Sequence, residues 1–343
     1  MTAQRDLPET RPETMPALVY TAPHAMVCTS APLPQPMPGE ALVRIAAVGI
    51  CGSDMHAWHG HDTRRPPPLI LGHEATGTVV GGASDGLRVA INPLVVDPDC
   101  PAARSGRPHL SPARQIISMP PRQGAFAGFV TIPERNLLPA PETLTPAQAA
   151  LAEPMAVAWH AVRIGLERLG QPDLPSVLVL GGGAIGLCAA LAARHMGTGA
   201  LLVVETNPAR RTLIAARTGL TTVEPSDARG AGPDWDLVID AVGARATRAA
   251  ASALVRPGGT IVHVGLLPGD DGLDLRRITL QEITLTGSYC YTPTDFAATL
   301  AAMGRGDLGA LDWMETRPLA DGPAAFADLD AGRVSAPKVV LLP

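Results

Sequence analysis

Apolar and polar positions alternate in short runs through the first part of the chain, which is the pattern of half-buried β-strands. These runs lie between residues 15 and 140 and are separated by Pro, Gly and Asp, which favour turns. In chain order they are PALVY, EALVRIAAVGI, TGTVV, LRVAINPLVV and GAFAGFVTI. Because no long helical pattern separates them, we predict a compact, partly open β-barrel for this region.

The second part of the chain has a different pattern, in which apolar runs alternate with segments of helical periodicity. SVLVL at 176–180 has no polar face, as expected for a buried parallel strand. ALLVVE, WDLVIDAVG and TIVHVGLL follow it, and helical patterns such as LCAALAARHMG and NPARRTLIAARTGL lie between these runs. This alternation predicts a doubly wound parallel sheet, and therefore an α/β fold.

These changes of pattern divide the chain into four parts. Residues 1–14 are polar, lack the apolar segment of a targeting signal, and are expected to form a flexible leader. Residues 15–155 form the predicted β-rich domain, and residues 156–294 form the predicted doubly wound domain. Residues 295–343 begin as a helix and end in the strand KVVLL, which we expect to return to the first domain.

Composition excludes several classes of function. The net charge of −5 offers no basic patch for nucleic acid. The longest uncharged run, Val177–Ala193, contains four glycines, so a strand, turn and helix explain it better than a membrane span. The five cysteines are scattered and odd in number, which disfavours a disulfide framework and favours a reducing cytoplasm.

A glycine-rich turn after SVLVL has the pattern of a dinucleotide-binding fingerprint. It contains the candidate cofactor-binding residues Gly181, Gly183, Ala184, Ile185 and Gly186. Glu205 ends the next strand, where a carboxylate can accept hydrogen bonds from ribose hydroxyls and would repel a 2′-phosphate. NAD is therefore favoured over NADP. Arg210 is a further candidate because a basic side chain here would favour NADP, although Arg210 and Arg211 are also interpretable as surface arginines.

Candidate zinc ligands lie in the β-rich region. Cys51 in GICGSDMHAW and His73 in GHE provide a thiol and an imidazole, which are common ligands of zinc. A catalytic zinc typically has three protein ligands and an open fourth position, so a third ligand is expected from elsewhere in the chain. Either residue alone is more typical of a structural role than of a ligand, but together with the GHE motif and a dinucleotide-binding domain they indicate a metal centre.

With these motifs the whole chain resembles the zinc-dependent medium-chain dehydrogenases, which combine a GroES-like catalytic domain with a Rossmann NAD-binding domain. AEPMAVAWHA, GSYCYTPTDF and MPPRQGAFAGFVTIPERN resemble the polyol branch, which includes sorbitol and L-idonate dehydrogenases. The resemblance implies one catalytic Zn²⁺ held by Cys51, His73 and Glu153, with Glu74 as a direct or alternating ligand. It also implies that Asp54 orients His73.

The same resemblance implies a reaction, in which a secondary hydroxyl of a polyol, sugar acid or cyclitol gives its hydride to NAD. A thiolate and one carboxylate would neutralise Zn²⁺ while leaving it Lewis-acidic. The proton would leave from Ser53 through the cofactor ribose to His56, which titrates near neutrality. His59 and His61 match no role in the family and are expected to be loop residues.

The chain departs from the family at the structural zinc that many relatives bind with four cysteines. The corresponding positions are Asp97, Cys100, Ala103 and Ser111, and alanine cannot bind a metal. We therefore predict no structural zinc.

Other functions remain open on sequence alone. The same machinery could oxidise an amino alcohol such as L-threonine, or an aminocyclitol. A zinc-free reductase would lack Cys51, His73 and Glu153, and a protein that only binds NADH would not need Ser53 and His56. The strand ITLTGSYCY could form an open sheet edge, and we expect a homodimer or homotetramer.

Overall fold

The computed structural model describes residues 12–170, 173–232 and 234–343. Residues 1–11 of the predicted leader lie outside the described residues. The first strand begins at Thr14, the last residue of that segment. No helix in the described ranges combines the length and apolar character needed to cross a membrane.

The first part of the chain is rich in short strands, as predicted. Its strands are β1 (Thr14–Ala22), β2 (Ala25–Pro32), β3 (Glu40–Gly49), β4 (Leu69–Ile70), β5 (Glu74–Val80), β6 (Arg88–Ile91), β7 (Leu94–Val95), β8 (Gln115–Ile116), β9 (Phe129–Pro133) and β10 (Leu137–Pro139). Its helices are α1 (Gly52–Trp58), α2 (Pro101–Arg104), α3 (Pro146–Ala150) and α4 (Ala152–Arg168).

The remaining elements follow the predicted alternation and then return. The strands of the second part are β11 (Val177–Leu180), β12 (Leu201–Val204), β13 (Thr222–Val223), β14 (Trp235–Asp240), β15 (Val255–His263) and β16 (Thr284–Gly287). The helices are α5 (Ala184–His195), α6 (Pro208–Thr218), α7 (Arg245–Leu254), α8 (Leu275–Leu280) and α9 (Pro293–Arg305). The last elements are β17 (Met314–Pro318), α10 (Gly322–Asp330) and β18 (Lys338–Leu342).

Two main sheets organise the molecule. The first is seven-stranded, with the order β10-β6-β5-β3-β18-β17 and β9 paired to β3. The second is six-stranded and parallel, with the order β13-β12-β11-β14-β15-β16. Since β17 and β18 join the first sheet, the predicted return of the tail to the catalytic domain is confirmed, as is the doubly wound second domain.

Each sheet has its own apolar core. In the first domain, seven of the ten residues of β3 are buried, and the core that they join includes large buried side chains such as Phe126 and Phe326. In the second domain, α4 and α5 cover one face of the parallel sheet, and β11 is buried along its full length. Removing this apolar surface from water is the main favourable contribution to folding.

Two local features differ from the prediction. The segment after Cys51 forms the short helix α1, which the strand-rich pattern did not predict. Residues 145–166, whose apolar spacing is that of one helix, form two helices, because α3 ends at Ala150 and α4 begins at Ala152, with Leu151 capping both. Pro154 lies in the first turn of α4, where a proline has no backbone hydrogen bond to lose.

Candidate active site

Three predicted ligands lie together in a buried group. The Cys51 sulfur, a His73 ring nitrogen and a Glu74 carboxylate oxygen are all within 4.8 Å of one another. Cys51 is the N-cap of α1, and Glu74 is the first residue of β5, opposite Gly49 of β3. His73 and Glu74 are 6% and 1% exposed, so water contributes little to solvating their charges. Thiolate, imidazole and carboxylate are a donor set that suits zinc.

Asp54 lies beside His73, and its orienting role stays a prediction. It is fully buried, and its carboxylate accepts hydrogen bonds from the backbone N–H of Cys51 at 2.9 Å and of Gly72 at 3.3 Å. Its Oδ1 lies 3.7 Å from His73 Nδ1, and the hydroxyl of Ser118 lies 3.4 Å from the same nitrogen. This arrangement leaves Nε2 of His73 for a metal.

The electrostatics favour a positive charge at this point. Burial disfavours a charged imidazole, but Asp54 and then Cys51 outweigh it and raise the pKa of His73 well above its ordinary value. The negative charges that raise the pKa of His73 also attract a divalent cation to the same place. The residues present therefore fit the zinc that the sequence predicts.

Lys338 is a member of the site that sequence reasoning missed. Its Nζ donates to both carboxylate oxygens of Glu74 at 2.7 Å and to the carbonyl of Ile50 at 3.0 Å. Lys338 is 3% exposed, and Glu74 and Cys51 raise its pKa despite the opposing effect of burial. One signal was available, because Lys338 is the single lysine in a chain with 26 arginines.

Glu153 is placed differently from the other candidate ligands. It lies in the first turn of α4, buried, and accepts a hydrogen bond at 3.1 Å from the hydroxyl of Tyr291. It is not a member of the 4.8 Å group formed by Cys51, His73 and Glu74. Burial raises its pKa to about 7, with a further contribution from Glu74, while His73 opposes the shift. Its role as a ligand remains a prediction.

The predicted proton relay lies on α1. Ser53 and His56 are three residues apart on this helix and therefore share a face. Both are half-buried, and within the described ranges no hydrogen bond joins them directly. Burial, followed by the nearby His59 and His61, lowers the pKa of His56, which disfavours a permanent charge at the outer end of the relay.

The glycine-rich turn has the shape that a dinucleotide requires. Gly181 has a φ of +99°, and a Cβ at Gly186 would overlap the carbonyl oxygen of Gly181. A Cβ at Gly183, the N-cap of α5, would meet no atom within 4 Å. Gly181 and Gly186 therefore close the turn, and Gly183 leaves open space in front of the α5 N-terminus, which stabilises a pyrophosphate. Ala184 and Ile185 form the first turn of α5.

Glu205 follows β12 and lies against this turn. It is 5% exposed and accepts hydrogen bonds from the backbone N–H of Gly182 at 2.9 Å and of Asn207 at 2.7 Å. Arg210 is not an ordinary surface arginine, because it lies 3.5 Å from the Glu205 carboxylate and also donates to the carbonyls of Val334 and Ser335. It links the cofactor side to the returning tail.

A basic and an aromatic side chain, Arg114 and Tyr289, lie close to Cys290. The guanidinium of Arg114 lies 4.7 Å from the ring centre of Tyr289 and donates to its hydroxyl at 3.2 Å. Burial raises the pKa of Cys290 to about 12, and Glu153 adds to this effect. Arg114 and Cys51 also influence the pKa of that thiol.

The lobe of the family's structural zinc is held by local contacts. The Cys100 sulfur caps α2 by accepting the backbone N–H of Ala103 at 3.4 Å. Ser111 is buried, and its carbonyl accepts a hydrogen bond from Arg114. The absence of a second, structural zinc in this lobe remains a prediction.

Comparison with known families assigns both domains. Residues 37–142 match the alcohol dehydrogenase GroES-like domain, and residues 184–305 match the zinc-binding dehydrogenase domain. L-galactonate-5-dehydrogenase of Escherichia coli K12 is 36% identical over 311 residues, covering 87% of this chain and 89% of that protein. Sorbitol dehydrogenase of Macaca fascicularis is 33% identical over 298 residues, covering 81% and 82%.

Solved structures agree on the fold. A protein from Sinorhizobium meliloti 1021, provisionally identified as a zinc-binding dehydrogenase and bound to NADP, superposes with a TM-score of 0.86. It is 28% identical, and the match covers 96% of this chain and 99% of that one. That structure holds a nicotinamide cofactor, and the choice between NAD and NADP in such a domain depends on residues near the ribose.

Proposed function

The chain belongs to the zinc-dependent medium-chain dehydrogenases, in their polyol dehydrogenase branch, and we propose that it oxidises a secondary hydroxyl of a polyhydroxylated substrate with NAD. The observation that carries this proposal is the group formed by Cys51, His73 and Glu74, in a chain that also has a glycine-rich turn of the dinucleotide-binding shape. The enzyme class follows from the family, whereas the substrate, the cofactor preference and the residue roles are proposals.

We propose that one zinc per chain is held by Cys51 and His73, with Glu153 and Glu74 as its carboxylate partners. Zinc bound here supplies Lewis-acid polarisation of a substrate hydroxyl. Asp54 orients His73, and Lys338 balances the second carboxylate of the site. Without Lys338, Glu74 and Glu153 would place two negative charges beside a thiolate.

We propose that Ser53 accepts the substrate proton and that His56 passes it on to water. Ser53 lies in the first turn of α1, near Cys51, and His56 lies one turn further along the helix. The lowered pKa of His56 keeps its ring neutral near pH 7, so that it can accept a proton and pass it to water.

NAD is the proposed cofactor because of Glu205. Its carboxylate accepts from two backbone N–H groups and from the Thr206 hydroxyl, and the acceptor capacity that is left can receive a ribose hydroxyl. Arg210 is close enough to Glu205 to reduce the repulsion of a 2′-phosphate. The ratio of kcat/KM with NAD to that with NADP tests this, and Glu205→Ala should lower that ratio. A ratio below one in the unaltered enzyme would reverse the assignment.

Within polyhydroxylated substrates, a sugar acid is favoured by Arg114. This guanidinium influences the same Cys290 thiol as Glu153 and Cys51 do, and it can pair with a carboxylate, which a neutral polyol lacks. The similarity to L-galactonate-5-dehydrogenase supports the same substrate class. If an aldonate binds here, Arg114→Gln should reduce kcat/KM for aldonates while leaving that for neutral polyols nearly unchanged.

The first experiment is NADH formation with a panel of polyols, aldonates, cyclitols, simple secondary alcohols and L-threonine. Turnover confined to polyhydroxylated compounds and lost with a chelator would support the proposal. Turnover of L-threonine alone would instead favour the amino-alcohol alternative. Activity that survives complete zinc removal would favour a zinc-free reductase, and NADH binding without any turnover would favour a non-enzymatic role.

Assembly into a homodimer is proposed through β16. This strand is the outer strand of the parallel sheet, and Leu285 on it is 40% exposed. A second copy could extend the sheet at this edge and cover that side chain. Light scattering after size-exclusion chromatography tests the proposal, and a monomeric mass at micromolar concentration would contradict it.

A reducing cytoplasm is the proposed location. The cysteines Cys28, Cys51, Cys100, Cys188 and Cys290 are all free thiols. Since Cys51 must remain a thiolate to bind zinc, oxidation would inactivate the enzyme. Cell fractionation, together with thiol labelling of the isolated protein, tests the location.

A further inference from the structure

A second group of metal-binding side chains lies at the other end of α1. It consists of His24, His59 and Asp330, whose ligand atoms are all within 4.8 Å of one another. His24 is in the turn between β1 and β2, His59 follows the last residue of α1, and Asp330 is the last residue of α10. None of the three has a role in the proposed reaction.

The three segments are fixed against one another. His59 Nε2 lies 2.7 Å from Asp330 Oδ1, and the ring centres of His24 and His59 are 5.3 Å apart. The backbone N–H of His24 donates to the carbonyl of Trp58 at 2.7 Å, and the His24 ring packs edge-on against the Trp58 ring at 4.4 Å. The group is therefore held in place by contacts outside itself.

Two backbone features allow this close approach. Gly60 has a φ of +77°, and a Cβ there would come within 2.9 Å of the Pro23 ring. His24 itself has a φ of +60°, a conformation that side chains other than Gly, Asn and Asp adopt with some strain. Within the described ranges the His24 ring makes no hydrogen bond, so its nitrogens are available to a ligand.

We propose that His24, His59 and Asp330 bind a Zn²⁺ ion that is separate from the catalytic zinc. Two imidazoles and a carboxylate are typical zinc ligands, and water can complete the tetrahedron because His24 and Asp330 are exposed. Nitrogen and oxygen ligands about 2.0 Å from a tetrahedral zinc are about 3.3 Å apart. The His59–Asp330 pair, at 2.7 Å, needs to open by only about half an ångström, which exposed side chains can do.

Binding would connect three segments that are far apart in sequence. The ion would tie the β1–β2 turn and the end of α10 to the C-terminal end of α1, whose N-terminal end presents Cys51. Because the ion binds the folded arrangement and not the separated segments, Zn²⁺ is expected to raise the temperature of unfolding. The site contains no thiolate, so it should bind Zn²⁺ more weakly than the buried group.

Equilibrium dialysis against Zn²⁺, starting from enzyme that retains its catalytic zinc, measures the second site directly. The wild-type chain should bind one further Zn²⁺. The double variant His24→Ala/His59→Ala should bind it at least about a hundredfold more weakly, since even an outer partner of a ligand is worth 10- to 100-fold in affinity. His195→Ala removes a histidine elsewhere, at the end of α5, and is the matched control that should bind Zn²⁺ like the wild type.

A spectroscopic measurement separates this site from the thiolate centre. Co²⁺ added to the zinc-loaded enzyme should give ligand-field bands without a sulfur-to-cobalt charge-transfer band, and Asp330→Ala should reduce them. Thermal unfolding should show a Zn²⁺-dependent increase in the wild type and His195→Ala, but not in the double variant. The proposal is overturned if the wild type binds no second Zn²⁺, or if the double variant binds it with unchanged affinity.

Discussion

The two ends of α1 carry similar metal-binding chemistry in opposite surroundings. At the N-terminal end, Cys51 lies with His73 and Glu74, which are almost fully buried. At the C-terminal end, His59 lies with two exposed side chains, His24 and Asp330.

At the buried end, charged side chains are balanced by other buried charges. At the exposed end there is one ion pair, His59–Asp330, and its members are accessible to solvent. Asp54 and Lys338 both act at the buried end, and both are nearly inaccessible to solvent. Charges removed from water need such partners, because the lost hydration is otherwise not replaced. Substitutions at the buried end should therefore have much larger effects than equivalent ones at the exposed end.

The largest effect is expected from Cys51→Ala. Loss of this thiolate should remove the catalytic zinc and lower kcat by about three orders of magnitude or more, since metal Lewis acidity contributes several kcal/mol to such reactions. Steady-state kinetics and metal analysis measure the two changes, while NADH binding should persist. Cys28→Ala, which removes an exposed thiol, is the control. A variant that keeps both its zinc and its activity would contradict the assignment of Cys51.

The next largest effect is expected from Lys338→Met, which leaves Glu74 buried without its partner. Breaking a buried ion pair by removing one member typically costs about 3–5 kcal/mol of unfolding free energy. Urea denaturation of the metal-free proteins measures this cost. The double variant Glu74→Gln/Lys338→Met should regain part of it, because no unpaired charge remains. Equal losses in the single and double variants would show that packing, and not charge, dominates.

A third substitution tests a buried imidazole that lacks an anionic partner. His109 is 4% exposed, packs against His160 at 5.0 Å between ring centres, and has an Nδ1 without a hydrogen-bond partner in the described residues. Burial, followed by the charge of His160, lowers the pKa of His109 to about 4. The other charged groups that influence it are Asp295, Arg107 and Arg114.

The direction in which stability changes with pH follows from proton binding. An unfolded histidine titrates near pH 6.5, so between pH 6.5 and about 4 the unfolded state binds more protons and stability falls as the pH falls. The loss should be of order 1 kcal/mol per pH unit in this window. His109→Gln should flatten that slope when unfolding is measured at pH 7 and pH 5. The surface variant His195→Gln should retain it, and an unchanged slope in His109→Gln would disprove the assignment.

The smallest effect is expected from Asp330→Asn at the exposed end, measured without added Zn²⁺. Surface ion pairs contribute about 0–1 kcal/mol, so the unfolding free energy should change by less than about 1 kcal/mol. Chemical denaturation at low and moderate salt measures it. A loss as large as that of Lys338→Met would mean that the two ends of α1 do not differ in the way their burial indicates.

The sequence was sufficient to predict the fold, and its motifs name residues that lie close together in the structure. Strand-length runs before residue 140 and the strand–helix alternation after residue 176 are both found, because each follows directly from which faces are buried. Cys51 and His73 lie together as predicted, and Asp54 lies beside His73. These residues are close in sequence and belong to motifs.

Partners that come from distant parts of the chain were not predictable in this way. Lys338 reaches Glu74 across 264 residues, and Tyr291 reaches Glu153 across 138. No periodicity in the sequence connects such positions. The helix α1 was also missed, because its seven residues are too few to establish a helical period. His59 matches no role in the family, so the sequence indicates only a loop residue. Its partners, His24 and Asp330, lie on other segments.

The position of β18 has a consequence for the order in which the protein is made. This strand lies between β3 and β17 in the catalytic sheet, and its Lys338 completes the neutralisation of Glu74. The ribosome synthesises β18 only after the entire nucleotide-binding domain. The catalytic sheet therefore cannot be completed until the nucleotide-binding domain has been synthesised. The charge of Glu74 is likewise balanced by Lys338 only at that stage.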